Sequence, residues 1–213
     1  MCIIILITAT TRINAQNRTI LADMNISNTE KWEVFNREGT NNVIEGNLCV
    51  YFKDAEGSGG AWIKDLEFEN GVIEFDVRGR DVRGTSFVGI AFRGIDNETY
   101  DAIYFRPFNF KSDNELNLSH GVQYIDHPVN TWSKLRAEHT GIYEHEVSPV
   151  PDPEKFFHAR IIIKDKNIKV YVNKSDKPCL EVKTLNDRKK GKLGLWMGHG
   201  SDGAFANLKI THF

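Results

Sequence analysis

The sequence predicts an all-β protein, a sandwich or jelly roll of antiparallel strands, and three observations support this. About twelve short segments alternate apolar with polar or small residues, as half-buried strands do. These segments recur every 8–15 residues or so, between turn signals rich in Gly, Asn, Asp and Pro. No segment shows a convincing 3.6-residue apolar period of the kind that marks an amphipathic helix. Regular short strands without helices are typical of sandwiches and jelly rolls.

Three segments in the middle of the chain alternate most clearly. They are residues 71–78 (G-V-I-E-F-D-V-R), 86–93 (S-F-V-G-I-A-F-R) and 100–106 (Y-D-A-I-Y-F-R). Successive side chains of a strand point to opposite sides, so each segment has one apolar and one polar face. If the three strands are neighbours in one sheet, their polar faces form one wall over a floor of Gly and Ala. The wall would carry Glu74, Asp76, Arg93, Tyr104 and Arg106.

This polar wall is predicted to bind a sugar or an acidic sugar. Arg93 and Arg106 end adjacent predicted strands, and a guanidinium can hold a carboxylate or two hydroxyls through parallel hydrogen bonds. Tyr104 and Gln123 would add an aromatic ring and an amide beside them. With Asp76, these residues make up the predicted ligand-binding set. The alternative interpretation is that the arginines only neutralise the acidic side chains of the sheet.

Charge and spacing argue against several other classes of function. The net charge of −2 gives no reason to expect nucleic acid or an anionic membrane surface as a partner. No Cys/His spacing resembles a zinc site. Residues 96–98 and 113–115 are oxygen-rich and could hold Ca²⁺, but neither has the ligand spacing of an EF-hand loop. The sequence therefore predicts no metal and no other cofactor.

Residues 1–15 are predicted to be a signal peptide whose start is truncated. A short apolar run, Cys2–Ile7, is followed by small and polar residues up to Ala15, without a basic segment before it. The run is too short to span a bilayer, so no membrane insertion is expected. We expect a secreted or periplasmic protein with one domain over residues 16–213. The alternative is that the apolar run forms a first strand.

Two cysteines, Cys49 and Cys179, remain after such a cleavage, and both lie in apolar, strand-like settings. Export would permit a disulfide between them. Two buried free thiols fit the sequence equally well, because sequence alone does not show whether the residues meet.

A series of motifs carries a family likeness. In chain order they are G-V-I-E-F-D-V-R, G-I-A-F-R, Y-D-A-I-Y-F-R-P, V-Q-Y, K-V-Y-V-N, G-K-L-G-L-W and F-A-N-L-K-I. Together they resemble the concanavalin A-like lectin/glucanase superfamily, and are most similar to the laminin-G-like and 3-keto-disaccharide-hydrolase-like domains of secreted bacterial proteins. The resemblance covers about residues 32–213. It implies a jelly roll of two curved antiparallel sheets with carbohydrate on the concave sheet, which would be the polar wall.

The resemblance leaves catalysis open. Glucanases of the superfamily carry E-x-D-x-E or E-x-D-x-x-E on one strand, and the matching stretch here is Glu74-Phe75-Asp76-Val77-Arg78-Gly79. The second carboxylate is missing, although retaining hydrolysis needs two carboxyl groups about 5 Å apart. Asp101 or Glu138 could supply a second acid. The catalytic candidates are Glu74, Asp76 and His120.

Three functions follow, in order of preference. The first is a lectin-like domain that binds carbohydrate on its concave sheet. The second is a glycoside hydrolase acting on keto-disaccharides or other glycans. The third is a protein-interaction module that uses the aromatic loop around Phe108 and Phe110. The segment Tyr143-Glu144-His145-Glu146 could reach over the sheet edge in any of them, or lie in solvent.

Overall fold

The computed structural model describes residues 18–213, so the predicted signal peptide lies outside the described residues. Over this range the regular secondary structure is almost entirely β-strand, which confirms the predicted fold class. The strands are β1 (Thr19–Leu21), β2 (Trp32–Phe35), β3 (Gly39–Ile44), β4 (Asn47–Phe52), β5 (Gly59–Phe68), β6 (Gly71–Arg78), β7 (Val88–Gly94), β8 (Tyr100–Phe105), β9 (Val122–His127), β10 (Glu144–His145), β11 (Phe157–Lys164), β12 (Asn167–Val172), β13 (Leu180–Lys183), β14 (Gly191–Met197) and β15 (Gly203–His212). A 3₁₀ turn covers Pro107–Asn109, and two short helices are α1 (Glu115–Leu118) and α2 (Trp132–Glu138).

The strands form two antiparallel sheets packed as a sandwich. The seven-stranded sheet has the order β10-β9-β8-β7-β14-β5-β2. The eight-stranded sheet has the order β13-β12-β11-β6-β15-β4-β3, and β1 pairs with β15. The core lies between them, where Phe105 of one sheet meets Phe157 of the other with ring centroids 5.1 Å apart. Alternate residues of the strands fill this layer, as the sequence periodicity predicts.

The prediction that the three central segments share one sheet is wrong. Strands β7 and β8 are neighbours, but β6 pairs with β11 and β15 in the opposite sheet. Residues 79–87 cross from one sheet to the other, whereas a hairpin would need a loop of only about two to five residues. Because both sheets bury their apolar faces in the same core, β6 and β7 show the same alternation from opposite sides. The polar faces of these strands therefore point away from each other.

The sequence predicts no amphipathic helix, but the structure has the helix α2 over Trp132–Glu138. Leu135 is the buried residue of this helix and belongs to the hydrophobic core, while the other residues of the helix are exposed or half-buried. Trp132 and Arg136 are four residues apart, so they lie on one helix face. Thr131 precedes the helix in an extended conformation, as an N-cap residue does. Burial of Leu135 therefore holds α2 against the sheet.

Both cysteines are buried free thiols, so the disulfide alternative is not realised. Cys49 lies on β4, and Cys179 lies just before β13. Burial raises the pKa of Cys179 to about 12, because the surrounding protein disfavours the thiolate. This thiol is therefore an unreactive packing group.

Gly89 of β7 allows two aromatic side chains to lie over the seven-stranded sheet. It pairs with Tyr104 on one side and Trp196 on the other. A Cβ atom at this position would lie 2.1 Å from the carbonyl oxygen of Ile103, a backbone atom that cannot move without shifting β8. We expect Gly89→Ala to lower the free energy of unfolding by about 3 kcal/mol, measured by urea denaturation. At Gly121 the nearest contact is the Val147 side chain at 3.1 Å, so Gly121→Ala is the control, and equal losses would contradict this account.

Candidate functional site

The outer face of the seven-stranded sheet forms the floor of a cleft. The register puts Tyr104 opposite Gln123, on the face that points away from the core, and Trp196 lies beside Tyr104 on the same face. Two adjoining cavities of about 610 and 280 Å³ lie over this floor and share Phe87, Trp132 and His199. We call them together the cleft. Its principal lining side chains are Arg83, Phe87, Tyr104, Arg106, Phe108, His120, Ile125, His127, Trp132, Arg136, Trp196 and His199.

Aromatic rings form much of the cleft wall. Trp132, the first residue of α2, is 48% exposed and lines both cavities. Phe87 makes edge contacts with Phe108 and Tyr104, at centroid distances of 5.5 and 6.1 Å. Trp196 lies 5.0 Å from Tyr104. The electron-rich faces of such rings favour contact with the C–H groups of a sugar ring.

Arg106 holds the polar floor together. Its Nη1 donates to the carbonyl oxygen of His120 at 2.9 Å, and its Nη2 donates to the Tyr104 hydroxyl at 2.7 Å and to the side-chain oxygen of Gln123. The residue is 4% exposed. Burial lowers the pKa of the Arg106 guanidinium, while Tyr104 and Glu144 act in the opposite direction. Burial also raises the pKa of Tyr104, which therefore stays a neutral phenol and can donate to Gln123.

Glu144 is the carboxylate beneath the cleft. Strand β10 pairs with β9 and places Glu144 opposite Gln123, where its side chain is 3% exposed. Arg136 donates to it in a bidentate arrangement, Nε to Oε1 at 2.8 Å and Nη2 to Oε2 at 2.6 Å. Arg106 Nη1 lies 3.6 Å from Oε2. The hydrogen bonds with Glu144 raise the pKa of Arg136, so this guanidinium stays charged.

His120 lies in the cleft wall beside this network. Its Nε2 is 3.3 Å from Glu144 Oε1, and its Nδ1 forms no hydrogen bond with any described residue. Burial is the main cause that lowers the pKa of His120, and the guanidiniums of Arg106 and Arg136 lower it further against the effect of Glu144. The imidazole is therefore neutral near pH 7. In the neutral tautomer with its proton on Nε2, Nδ1 carries the free lone pair and can accept a proton.

The structure brings together Tyr104, Arg106, Gln123 and His120, but it places Arg93 elsewhere. Arg93 is 2% exposed and donates to the carbonyl oxygens of Glu69 and Asp165, at 3.0 and 2.6 Å. Strands β7 and β8 run antiparallel, so the C-terminal end of β7 lies beside the N-terminal end of β8, and Arg93 and Arg106 lie at opposite ends of this strand pair. The prediction that Arg93 and Arg106 form one patch is therefore wrong.

Glu74 and Asp76 are also remote from the cleft, on the outer face of the eight-stranded sheet. Asp76 contacts His158 Nδ1 at 2.8 Å and Asn207 Nδ2 at 2.6 Å, and Glu74 contacts Lys209 at 2.8 Å. Partial burial raises the pKa of Asp76, but the hydrogen bonds from His158 and Asn207 outweigh it and lower the pKa overall. The alternative interpretation, in which Arg93 and Arg106 neutralise these two acids, is therefore wrong.

Neither proposed second acid lies beside Glu74. Asp101 points into the sandwich, is fully buried and accepts a hydrogen bond from the Tyr124 hydroxyl at 2.5 Å. Glu138 is an exposed residue at the end of α2. Neither Asp101 nor Glu138 therefore forms a two-carboxylate centre with Glu74.

The two oxygen-rich segments are a turn and a helix cap. The Asp96 carboxylate accepts hydrogen bonds from the backbone N–H groups of Glu98 and Thr99. The Asn114 side chain accepts from the first turn of α1. Within residues 18–213, no three His, Cys, Asp or Glu side chains are grouped so that they could hold a metal ion.

The aromatic loop around Phe108 and Phe110 faces inwards. Phe110 is 3% exposed and packs on Phe157 with ring centroids 5.3 Å apart. Phe108 lines the cleft. The loop therefore contributes to the core and to the cleft wall, and does not present both rings as an external contact surface.

The two packed antiparallel sheets define the chain as a β-sandwich of the jelly-roll type. The carbohydrate-binding module CBM66 from Bacillus subtilis aligns with a TM-score of 0.60 at 15% identity, over 84% of this chain and 95% of that one. A native glycosidic hydrolase aligns at 0.55 and 16% identity, over 94% and 98%. The exoplasmic/lumenal domain of VIP36, in its Ca²⁺/Man3GlcNAc-bound form, aligns at 0.55 and 10% identity, over 88% and 86%. These similarities show a fold shared with carbohydrate-binding proteins.

The family follows from the sequence. The profile of the 3-keto-α-glucoside-1,2-lyase-like domain matches residues 22–211, so the chain belongs to this family, and the expected resemblance is confirmed. No curated protein sequence gives a significant match. None of the helices in residues 18–213 has the length and apolar character needed to cross a bilayer.

Proposed function

We propose that the protein binds carbohydrate in the cleft over the seven-stranded sheet. The observation that carries this proposal is Trp132, a half-exposed tryptophan at the junction of the two cavities. An exposed aromatic ring in a cavity with convergent polar groups is typical of a small-molecule site, and cavities of several hundred Å³ are the usual size. The fold shared with a carbohydrate-binding module supports the choice of ligand.

The cleft has the mixed surface that a sugar needs. The rings of Phe87 and Trp132 offer apolar faces, while Arg83, Asn117 and His199 bring polar side chains to the same walls. Sugar hydroxyls both donate and accept hydrogen bonds, so guanidinium donors together with amide and imidazole groups match them. A secreted or periplasmic location stays a prediction that rests on residues 1–15.

Replacing Trp132 with alanine is expected to weaken oligosaccharide binding by roughly ten- to a hundredfold, the effect of losing one buried aromatic contact of about 1.5–3 kcal/mol. Binding to an oligosaccharide panel would be measured by isothermal titration calorimetry after screening on a glycan array. Phe213→Ala is the matched control, because Phe213 is 51% exposed and does not line the cleft. If wild-type protein binds no glycan, or if both variants bind as wild type does, the proposal fails.

A second candidate function is cleavage of a 3-keto-α-glucoside by 1,2-elimination, the reaction in the family's name. The cleft is lined by His120, His127 and His199, and no described Asp or Glu lines it. Glu144, the acid beneath it, is tied to two arginines. This arrangement does not supply the two free carboxyl groups that glycoside hydrolysis uses.

Elimination needs less machinery, because a ketone at C3 makes the proton on C2 acidic. A base removes this proton, its electron pair forms the C1=C2 double bond, and the C1–O bond breaks. The departing oxygen takes a proton and leaves as the alcohol. The neutral imidazole of His120, with its unpartnered Nδ1, is suited to be the base.

The product distinguishes elimination from hydrolysis. Elimination places C1=C2 next to the C3 ketone, and this conjugated system absorbs in the near ultraviolet. Hydrolysis adds water at C1, so it incorporates ¹⁸O from labelled water and gives no conjugated product. Incubation of the wild-type protein with a 3-keto-α-glucoside should give the absorbing product without ¹⁸O, and release of a ¹⁸O-labelled sugar would reject this candidate.

A further inference from the structure

We infer that the sugar bound in the cleft is anionic and carries a uronic acid carboxylate or a sulfate ester. This inference rests on the proposed carbohydrate-binding function and specifies its ligand class. It starts from a charge imbalance in the larger cavity. Three guanidiniums reach this cavity, from Arg83, Arg106 and Arg136, and no described Asp or Glu lines it.

Only one carboxylate compensates these three charges. Glu144 accepts both hydrogen bonds from Arg136 and lies 3.6 Å from Arg106. Arg83 forms no ion pair with any described residue, and its Nη2 donates to the neutral Asn117 side chain at 2.8 Å. Since burial keeps His120 neutral, it does not change the count. The site therefore carries an excess of positive charge.

The guanidiniums also retain free donors. Arg136 uses Nε and Nη2 on Glu144, and its Nη1 has no partner among residues 18–213. The Nε and Nη1 atoms of Arg83 are likewise without a described partner. Carboxylate and sulfate oxygens match such donors in geometry and charge. In a cavity partly shielded from water, the attraction is stronger than at an open surface.

The charge lies beside the stacking surface. The guanidinium carbon of Arg136 is 5.0 Å from the centroid of the Trp132 ring, so both belong to one part of the cleft. The cavity that Arg93 lines, of about 430 Å³, provides a contrast. Its basic residues are accompanied by Glu69, Asp165 and Asp187, so its charges are largely balanced. The excess charge is therefore a feature of the cleft and not of every cavity in the molecule.

Matched pairs of oligosaccharides test the inference. One set contains uronic acid oligosaccharides and their carboxyl-reduced forms, and the other contains sulfated oligosaccharides and their desulfated forms. Each pair keeps linkage and stereochemistry while removing the charge. We expect an acidic member to bind at least about tenfold more tightly than its neutral partner, and the set that shows this difference identifies the anion. Binding should weaken as the salt concentration rises.

Variants locate the effect. Arg83→Gln should reduce the preference for the acidic member by about five- to tenfold, because it removes an exposed, uncompensated guanidinium without disturbing the buried network. Arg160→Gln, on the outer face of the eight-stranded sheet, makes the same change in net charge and should retain the preference.

The outcomes separate the two proposals. Equal binding of acidic and neutral members would overturn the charge inference while leaving carbohydrate binding intact. Equal loss of preference in Arg83→Gln and Arg160→Gln would show that net charge, and not the cleft, selects the acidic sugar, which also overturns it. Binding of neither member in any pair would refute both proposals.

Discussion

Replacing Arg106 with methionine is expected to lower the free energy of unfolding by about 3–5 kcal/mol, the range typical of removing one partner from a buried charged network. Methionine keeps much of the apolar stem, so the loss comes from the polar groups. The Tyr104 hydroxyl, the Gln123 side-chain oxygen and the His120 carbonyl would each lose a donor. Glu144 would keep Arg136 but lose its second cation.

Urea denaturation measures this loss of unfolding free energy, and two further variants show whether it comes from the buried network. Arg83→Met removes an exposed guanidinium from the same cleft and should cost less than about 1 kcal/mol. Arg106→Lys should not restore wild-type stability, because one ammonium group cannot reproduce the planar fork that reaches three acceptors. The account is wrong if Arg106→Met and Arg83→Met lower the unfolding free energy equally, or if lysine restores it fully.

The alternation of residues predicts the strands well, but it does not identify their sheet. Val77 of β6 and Val88 of β7 both face the core, and in each strand apolar residues occupy every second position. Nothing local distinguishes two neighbouring strands from two strands that face each other across the core. Whether β6 and β7 share a sheet depends on the path of residues 79–87, which connect them. That path is set by the packing of the whole sandwich and not by local sequence.

Pairing direction explains the error over Arg93. Both Arg93 and Arg106 follow an alternating segment, and a parallel pair would have placed them together. Neighbouring strands joined by a short connection are antiparallel, so their C-terminal ends lie at opposite ends of the strand pair. This rule could have been applied to residues 95–99, which form the short loop between β7 and β8. Tyr104, Arg106 and Gln123 were predicted together because they need only the local pairing of β8 with β9.

The sequence did contain a signal for Trp132 and Arg136, since Thr131 precedes them and Gly141 follows, as at the ends of a short helix. With only Leu135 buried, the seven-residue segment fits a strand period as well as a helix period. The position of Glu144 in the cleft could not be predicted from the residues next to it in the sequence. It depends on the two-residue pairing of β10 with β9 and on bidentate contact with a helix eight residues earlier.

Replacing His120 with glutamine is expected to reduce the rate of 1,2-elimination by about 10²–10⁴-fold, the usual contribution of a general base. The backbone carbonyl oxygen of residue 120 would still accept from Arg106, so the network beneath the cleft should persist. The glutamine amide has no lone pair basic enough to take the C2 proton. The effect should therefore fall on kcat, while the affinity for an unreactive glucoside that lacks the ketone changes little.

The pH profile identifies the base through the sign of its pKa shift. Burial disfavours the imidazolium, so the pKa of His120 lies below the ordinary value of 6.5, and the neutral, reactive form persists to lower pH. The kcat/KM of the wild-type protein should be flat around pH 7 and fall only below the shifted pKa. His158→Gln, in the opposite sheet, should keep both the rate and this acidic limb. A His120→Gln variant that retains the wild-type rate, or an acidic limb centred above pH 6.5, would show that another group removes the proton.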